Sequence, residues 1–162
     1  MRNITTGFVI MLFVLLGDQE TKAEFIDTDS HSVQLKNEVT FTSGNVSMAC
    51  LRCMCLFSSS CTPFGCQLVS ASKLCGYFYF SSLTWDDCDS PGTDFPSCAN
   101  DLQCSSLCVQ RYVQRYAEIG NCRLNCEGFA RVFYGGPSGC ENPLTLKVWN
   151  RLQELPGCKG VR

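Results

Sequence analysis

Cysteine is the residue whose number and spacing offer the most chemistry in this sequence. The 162-residue chain contains fourteen cysteines and a single histidine, His31. Six of the cysteines lie between Cys50 and Cys75, in the run CLRCMCLFSSSCTPFGCQLVSASKLC. Thiolates at this spacing either bind a metal ion such as zinc or join in disulfide bonds, and the redox state of the compartment decides between the two.

The N-terminus predicts export. Arg2 precedes an apolar run, Phe8–Leu16. Thr21 and Ala23 then supply the small residues of a signal-peptide cleavage site. Nine helical residues rise only about 14 Å, which is short of the roughly 30 Å hydrocarbon core of a bilayer. We therefore expect residues 1–23 to be a signal peptide, and the protein to be secreted and extracellular with no membrane anchor.

In an exported chain, an even number of cysteines predicts disulfide bonds, because the compartment is oxidising and a small domain gains stability from cross-links. The rival interpretation is a zinc site, but the only histidine lies outside the cysteine-rich region. We expect no metal and no cofactor. All fourteen cysteines are expected in bridges: Cys50, Cys53, Cys55, Cys61, Cys66, Cys75, Cys88, Cys98, Cys104, Cys108, Cys122, Cys126, Cys140 and Cys158.

Residues 24–49 differ in composition from the remainder of the chain. They contain four acidic residues, one lysine and no cysteine. We expect an acidic, flexible leader; a removable pro-segment is the alternative, although no dibasic site marks its end. The motif Asn45-Val46-Ser47 is an acceptor for N-glycosylation, so Asn45 is expected at the surface.

Residues 50–162 are long enough for one domain. They carry ten basic and nine acidic residues, and they contain no glycine-rich phosphate-binding loop. A nearly neutral segment of this kind lacks the basic surface that nucleic acids require. We therefore expect no nucleic acid among the partners.

The hydrophobic pattern of this domain predicts a mostly helical fold with one small hairpin. The first elements are a helix over Ala49–Phe57 and a hairpin that pairs Gln67–Ser70 with Tyr77–Phe80. Further helices are predicted at 108–116 and 122–133. Asn142-Pro143 then fits the cap and first position of a last helix. The apolar face of that helix is predicted to contain Leu144, Val148, Trp149, Leu152 and Leu155.

The run from Cys50 to Phe80 resembles the opening signature of the invertebrate-type lysozymes, the destabilase family. That signature reads roughly C-L-x-C-x-C-x-x-E-S-G-C and then G-C-x-M-D-V-G-S-L-S-C-G-Y-F-Q-I-K, and the six cysteines match it one for one. The resemblance continues through Trp85-x-Asp87-Cys88 to the C-terminal Gly157-Cys158-Lys159-Gly160. It implies a small, disulfide-rich, lysozyme-like α+β domain over residues 50–162. It also implies the bridges Cys55–Cys61, Cys66–Cys75 and Cys98–Cys104.

The family activity that this resemblance implies is hydrolysis of the β-1,4 bonds of bacterial peptidoglycan. A retaining glycosidase needs two carboxyl groups about 5–5.5 Å apart, one protonated and one ionised. The family's glutamate falls on Ser58 and its aspartate on Val69, and no Asp or Glu occurs between Glu38 and Asp86. No shift of the alignment restores the pair. We therefore predict an inactive or strongly impaired enzyme, a pseudoenzyme.

Two alternatives to a pseudoenzyme with a glycan-binding cleft stay open. One is an extracellular structural or interaction protein that binds no glycan. The other is an active lysozyme of antibacterial defence or digestion, which would need acids recruited from elsewhere. The candidate acids are Asp86, Asp87, Glu118, Glu127 and Glu141.

The resemblance implies a second family activity, cleavage of isopeptide bonds by a serine. Ser72 matches a family serine and is followed by Lys73, but adjacent strand residues point to opposite faces. The family's histidine position holds Phe133. We therefore expect no isopeptidase activity.

Aromatic residues occupy the positions where the resemblance places the sugar cleft. Their rings suit stacking on pyranose rings, although aromatic residues also pack in cores, which is the interpretation we prefer for Tyr77 and Phe78. We expect the former cleft to bind bacterial cell-wall glycan or chitooligosaccharide, as a protein of innate immunity would. The residues predicted to line it are Tyr79, Trp85, Phe133 and Tyr134.

Overall fold

The computed structural model describes residues 40–162. The predicted signal peptide, residues 1–23, and residues 24–39 of the predicted leader lie outside the described residues. Within the described range, no helix has the length and apolar character needed to cross a bilayer. The helices are α1 (Met48–Ser59), α2 (Ser82–Asp87), α3 (Phe95–Asn100), α4 (Leu102–Ile119), α5 (Cys126–Gly135) and α6 (Pro143–Gln153). The strands are β1 (Cys66–Val69), β2 (Ser72–Cys75) and β3 (Phe80–Ser81).

The fold is therefore the predicted α+β class, mostly helical with one small antiparallel sheet in the order β1-β2-β3. All fourteen cysteines are paired. Cys55–Cys61, Cys66–Cys75 and Cys98–Cys104 are the three bridges that the family resemblance implies. The other four are Cys50–Cys126, Cys53–Cys158, Cys88–Cys108 and Cys122–Cys140.

Helix α1 is the element to which the rest of the domain is cross-linked. The Ser47 hydroxyl accepts a hydrogen bond from the Cys50 N–H at 3.2 Å and caps its N-terminus. Leu51 and Met54 are fully buried. Three bridges leave this helix, and two of them, from Cys50 and Cys53, reach positions 76 and 105 residues away in sequence. The first half of α1 is consequently held at a fixed place in the core.

The sheet differs from the predicted hairpin. Strand β1 pairs with β2, not with residues 77–80, through a two-residue connection that begins at Ser70, whose φ of 55° is left-handed. Gly76 then turns the chain with a φ of 74°, and a Cβ there would overlap the Ala99 carbonyl oxygen. Residues 76–79 therefore form a turn, in spite of their strand-favouring aromatic side chains, and only β3 continues the sheet.

Helix ends follow the capping side chains rather than the apolar pattern. Asn125 caps α5 by accepting from the Gly128 N–H at 3.0 Å, so α5 begins at Cys126 and not at residue 122. Asn142 caps α6 as predicted, through the Leu144 N–H at 2.9 Å. The predicted apolar face of α6 is wrong at its first turn, where Leu144 is exposed and Thr145 is buried instead. The Thr145 hydroxyl donates to the Gly139 carbonyl oxygen, which satisfies it in the core.

Residues 40–47, here called the strap, lie against α4. The Thr42 N–H donates to Ser106 Oγ at 2.8 Å, and the Val46 N–H donates to Gln110 Oε1 at 3.2 Å. The Gln110 Nε2 group donates in turn to the Thr42 carbonyl oxygen. Val46 is fully buried. Residues 40–49 are therefore a packed part of the domain, which corrects the C-terminal end of the predicted flexible leader. Asn45 is exposed in this strap.

Candidate functional site

A cavity of about 370 Å³ opens between the last turn of α1, the sheet and the last turn of α5. We call it the cleft cavity. It brings together Ser58, the predicted position of the family's glutamate, with Tyr79, Phe133 and Tyr134, three of the four aromatic residues predicted for the cleft. The residues that line it are Phe57, Ser58, Leu74, Phe78, Tyr79, Phe80, Ser81, Thr84, Phe133 and Tyr134.

Ser58 is held by a buried tyrosine. The Tyr134 hydroxyl lies 2.9 Å from Ser58 Oγ and 2.9 Å from the Met54 carbonyl oxygen. A carbonyl can only accept, so the single phenol proton goes to Met54, and Ser58 must donate its own proton to Tyr134. Burial raises the pKa of Tyr134 far above its ordinary value, and the Ser58 hydrogen bond offsets only part of that effect. The phenol therefore stays neutral at physiological pH.

The wall of the cleft cavity is a chain of edge-to-face aromatic contacts. The Tyr134 ring lies 5.2 Å from Phe57 and 5.1 Å from Phe133, centroid to centroid. Phe133 contacts the fully buried Phe78 at 6.2 Å, and Phe78 contacts Phe41 of the strap at the same distance. Pairs of this geometry are stabilising beyond the area they bury. Phe133 and Tyr134 therefore both line the cavity and pack on the core.

A second cavity of about 250 Å³ adjoins the first and shares Ser58 and Tyr79 with it. We call it the outer cavity; its other lining residues are Phe64 and Gln67. The Tyr79 hydroxyl donates to Gln67 Oε1 at 2.9 Å, and the Phe64 ring meets the Tyr79 ring at 6.4 Å. Phe64 is 50% exposed, so an aromatic face is open to solvent beside the position of the family's glutamate.

Two predicted site residues lie elsewhere. Val69, the predicted position of the family's aspartate, ends β1 opposite Ser72; it is 41% exposed and lines neither cavity. Trp85 does not line the cleft cavity either. Its indole N–H donates to the Pro91 carbonyl oxygen at 2.9 Å, and its ring packs on Phe95 at 6.3 Å. Trp85 therefore serves the packing of α2 on α3.

None of the five acids considered for recruitment lines either cavity. Glu127 forms an ion pair with Arg131 at 3.2 Å on α5. Asp87 lies beside α4, where its carbonyl oxygen accepts from Arg115. Burial and, after it, the hydrogen bond and charge of Asp87 raise the pKa of Tyr116. Burial and, next, that same Asp87 charge raise the pKa of Tyr112 to about 12. The other three acids, Asp86, Glu118 and Glu141, have exposed side chains.

The hairpin carries the serine and lysine considered for isopeptide cleavage. Ser72 and Lys73 are both exposed, and they face Val69 and Leu68 across the ladder as adjacent residues of one strand. Adjacent strand side chains point to opposite faces. The two therefore have no shared site.

Sequence reasoning missed several residues of the cleft cavity, among them Phe57, Leu74 and Thr84. These come from a helix, a strand and a further helix that meet only because residues 76–79 turn instead of extending. Phe57 was the one that could have been found, since it is adjacent to Ser58 on a helix whose last turn carries the family's acid position.

The conserved-family model described as Destabilase matches residues 47–155. The chain belongs to the destabilase family. This destabilase-family chain is 51% identical to the invertebrate-type lysozyme of Ruditapes philippinarum over 132 residues, 81% of this chain and 97% of that protein. It is 48% identical to the lysozyme of Meretrix lusoria over 122 residues, 75% of this chain and all of that protein.

Solved structures give the same result for the fold. The crystal structure of Tapes japonica lysozyme superposes with a TM-score of 0.73 at 53% identity, covering 75% of this chain and all of that one. The Meretrix lusoria lysozyme in complex with Aeromonas hydrophila PliI also gives a TM-score of 0.73, at 48% identity. The lysozyme-like fold of this destabilase-family domain is thus shown by relatives of known structure.

Proposed function

We propose that this chain is a secreted destabilase-family protein that binds glycan in the former cleft without hydrolysing it. One observation carries the proposal: no side chain that lines the cleft cavity or the outer cavity bears a carboxyl group. Ser58 occupies the first family acid position and Val69 the second. A hydroxyl and an isopropyl group can neither protonate a leaving group nor stabilise an oxocarbenium ion.

The hydrogen bonds of Ser58 also argue against a substitute role in catalysis. Its proton is donated to Tyr134, and the described part of the chain places no base beside it. A serine becomes a nucleophile only when a base accepts its proton. The residue at the acid position is therefore a structural contact between α1 and α5.

Glycan binding is supported by the outer cavity. Phe64 and Tyr79 present aromatic surface there, and Gln67 adds an amide for hydrogen bonding, which together suit the apolar face and hydroxyl groups of a pyranose ring. Secretion is supported by seven disulfides and by the apolar N-terminal run. Bacterial cell-wall glycan and chitooligosaccharide are the ligand classes we propose.

The test combines a binding measurement with an activity measurement on the purified, secreted protein. Calorimetric titration with chitooligosaccharide should show binding, and a turbidity assay on Gram-positive cell walls should show no lysis. Phe64→Ala should weaken binding by roughly 5- to 50-fold, as loss of a stacking ring does, while the matched control Leu83→Ala, an exposed apolar residue outside both cavities, should not.

Each contrary result has a definite meaning. Lysis at the rate of an active relative would contradict the loss of catalysis and would favour recruited acids. Absence of any oligosaccharide binding would favour the alternative of an extracellular interaction protein. Equal weakening by Phe64→Ala and Leu83→Ala would place the glycan outside the outer cavity.

A further inference from the structure

The side chains that line the cleft cavity differ from those of a sugar-binding site. Its lining consists of four phenylalanines, two tyrosines, a leucine and three small hydroxyl residues, with no charged side chain among them. A cavity of about 370 Å³ with mostly aromatic walls and a few polar groups has the size and lining of a small-molecule pocket. The lining of the cleft cavity is therefore neutral and largely aromatic.

The polar groups of this chamber are not equivalent. Ser81 Oγ accepts from the Thr84 N–H at 3.4 Å and lies 3.4 Å from Thr84 Oγ1, so these two hydroxyl groups are engaged with each other. Ser58 donates its proton to Tyr134, since the Tyr134 proton goes to Met54. No group in the described part of the chain donates to Ser58 Oγ. Its remaining lone pairs can therefore accept a hydrogen bond from a molecule in the cavity.

We infer that the cleft cavity binds a small, uncharged, flat apolar molecule that carries one hydrogen-bond donor, a hydroxyl or an amide N–H, directed at Ser58 Oγ. The aromatic walls supply the apolar contact. The lining offers an ionised ligand no partner of opposite charge, so a neutral ligand that loses less hydration on binding is favoured. The cleft cavity adjoins the outer cavity, on which the glycan proposal rests, and shares Ser58 and Tyr79 with it.

The test uses three probes of the same size on the purified, secreted protein. 2-Naphthol is neutral and carries a donor, 2-methoxynaphthalene is neutral without a donor, and 2-naphthoate is ionised. Two-dimensional ¹H–¹⁵N NMR spectra of the ¹⁵N-labelled protein give both the Kd and the residues whose amide signals shift on binding. 2-Naphthol should shift the amides of Phe57, Ser58, Leu74 and Thr84. 2-Methoxynaphthalene should bind roughly 2- to 10-fold more weakly, and 2-naphthoate on the order of 100-fold more weakly.

The Ser58→Ala variant tests the donor preference directly. It removes the acceptor but leaves the Tyr134 hydrogen bond to Met54 in place, so the two neutral probes should bind with a Kd ratio of about one. The control Ser72→Ala, an exposed serine outside the cavity, should keep the preference of the unmodified protein. If Ser58→Ala failed to fold, two measurements on the unmodified protein would still test the inference. These are the set of residues whose amide signals shift and the relative Kd values of the three probes.

Three results would overturn the inference. These are no saturable shift up to the solubility limit of 2-naphthol, shifts confined to residues outside the cleft cavity, and binding of 2-naphthoate as tight as that of 2-naphthol. Chitooligosaccharide binding is measured separately, so failure here leaves the glycan proposal intact, and failure of the glycan titration leaves this inference intact.

Discussion

The two ends of helix α1 differ in what fixes them. In its first half, Cys50 and Cys53 form bridges to distant parts of the chain, and Met54 is fully buried. In its last turn, Ser58 lines two cavities and is held by one hydrogen bond to Tyr134. The first half contributes bridges and buried side chains to the fold. The last turn carries Ser58, the position at which we propose that the family's acid has been lost.

This difference bears on the proposal that a chain about half identical to invertebrate-type lysozymes has lost their acids. Bridges and core contacts are spread over many residues, so the fold persists when one cleft residue changes. Catalysis by two carboxyl groups depends on two positions alone. Family membership, shown over residues 47–155, is therefore evidence about the fold and not about the two acids.

The largest expected effect comes from rebuilding the last turn. Ser58→Glu with Val69→Asp and Tyr134→Phe should raise cell-wall hydrolysis by at least about 100-fold over the unmodified protein. The apolar lining would raise the pKa of the new glutamate, and removing the Tyr134 hydroxyl prevents a hydrogen bond that would keep it ionised. Val69 is 41% exposed, so the new aspartate would remain solvated. Release of reducing ends measures the gain.

The controls for this variant separate the two acids from their surroundings. Each single substitution should stay inactive, and the variant with both acids but with Tyr134 retained should fall between. Recovery of hydrolysis should be partial, because reactive groups must be held within about 0.5 Å of their productive positions. A triple variant that folds but does not hydrolyse cell walls would show that restoring the two acids is not enough. The geometry of the cleft would then differ from that of an active enzyme.

A second prediction compares bridges from the two regions. Replacing both Cys50 and Cys126 with alanine should lower the free energy of unfolding by about 2–5 kcal/mol, because that bridge closes 76 residues within the core. Replacing Cys66 and Cys75 should cost less, since that bridge closes nine residues beside an exposed strand. Chemical denaturation measures both. A larger loss from the hairpin bridge would contradict this ranking.

A third prediction concerns the strap. A Cβ at Gly44 would overlap the Gln110 carboxamide, which holds Val46 and Thr42. Gly44→Ala should therefore cost about 1–3 kcal/mol of unfolding free energy. Ser43→Ala, at the exposed neighbouring position, should cost less than about 0.5 kcal/mol. Equal stability of Gly44→Ala and the parent would mean that the strap does not depend on Gln110.

The last prediction is a dependence of stability on alkaline pH, which is absent at physiological pH. Tyr112 and Tyr134 have pKa values raised in the folded state, so they keep their protons after the unfolded chain begins to lose them near pH 10. Stability is then fully present below about pH 10 and falls as the pH rises towards and past 12. Each group contributes at most about 1.4 kcal/mol per pH unit. Tyr134→Phe should reduce the slope of unfolding free energy against pH between 10 and 12, and an unchanged slope would contradict the burial of its hydroxyl.

Much of the fold could be predicted because cysteines and helix caps act locally. The order of cysteines identified the family, and Asn142-Pro143 located the start of α6. The hairpin partner of β1 could not be predicted, because the strand-favouring residues 77–79 are overridden by the contact of Gly76 with the Ala99 carbonyl. The strap could not be predicted either, since its partner Gln110 lies more than 60 residues away in sequence.

The candidate site was predictable only in part. Tyr79, Phe133 and Tyr134 do line the cleft cavity with Ser58, whereas Trp85 packs between α2 and α3. The hydrogen bond that joins Ser58 to Tyr134 spans 76 residues and depends on the docking of α5 against α1. Contacts of this range follow from the bridge between Cys50 and Cys126, not from any local pattern.

The most direct test of the central claim is product analysis after the purified protein is incubated with a chitooligosaccharide, using mass spectrometry to detect shorter chains. A cleft without carboxyl groups predicts intact oligosaccharide only, with the Ruditapes philippinarum lysozyme as a positive control for the assay. Shorter chains formed at a rate comparable to that control would contradict it and would show that acids outside both cavities perform the reaction.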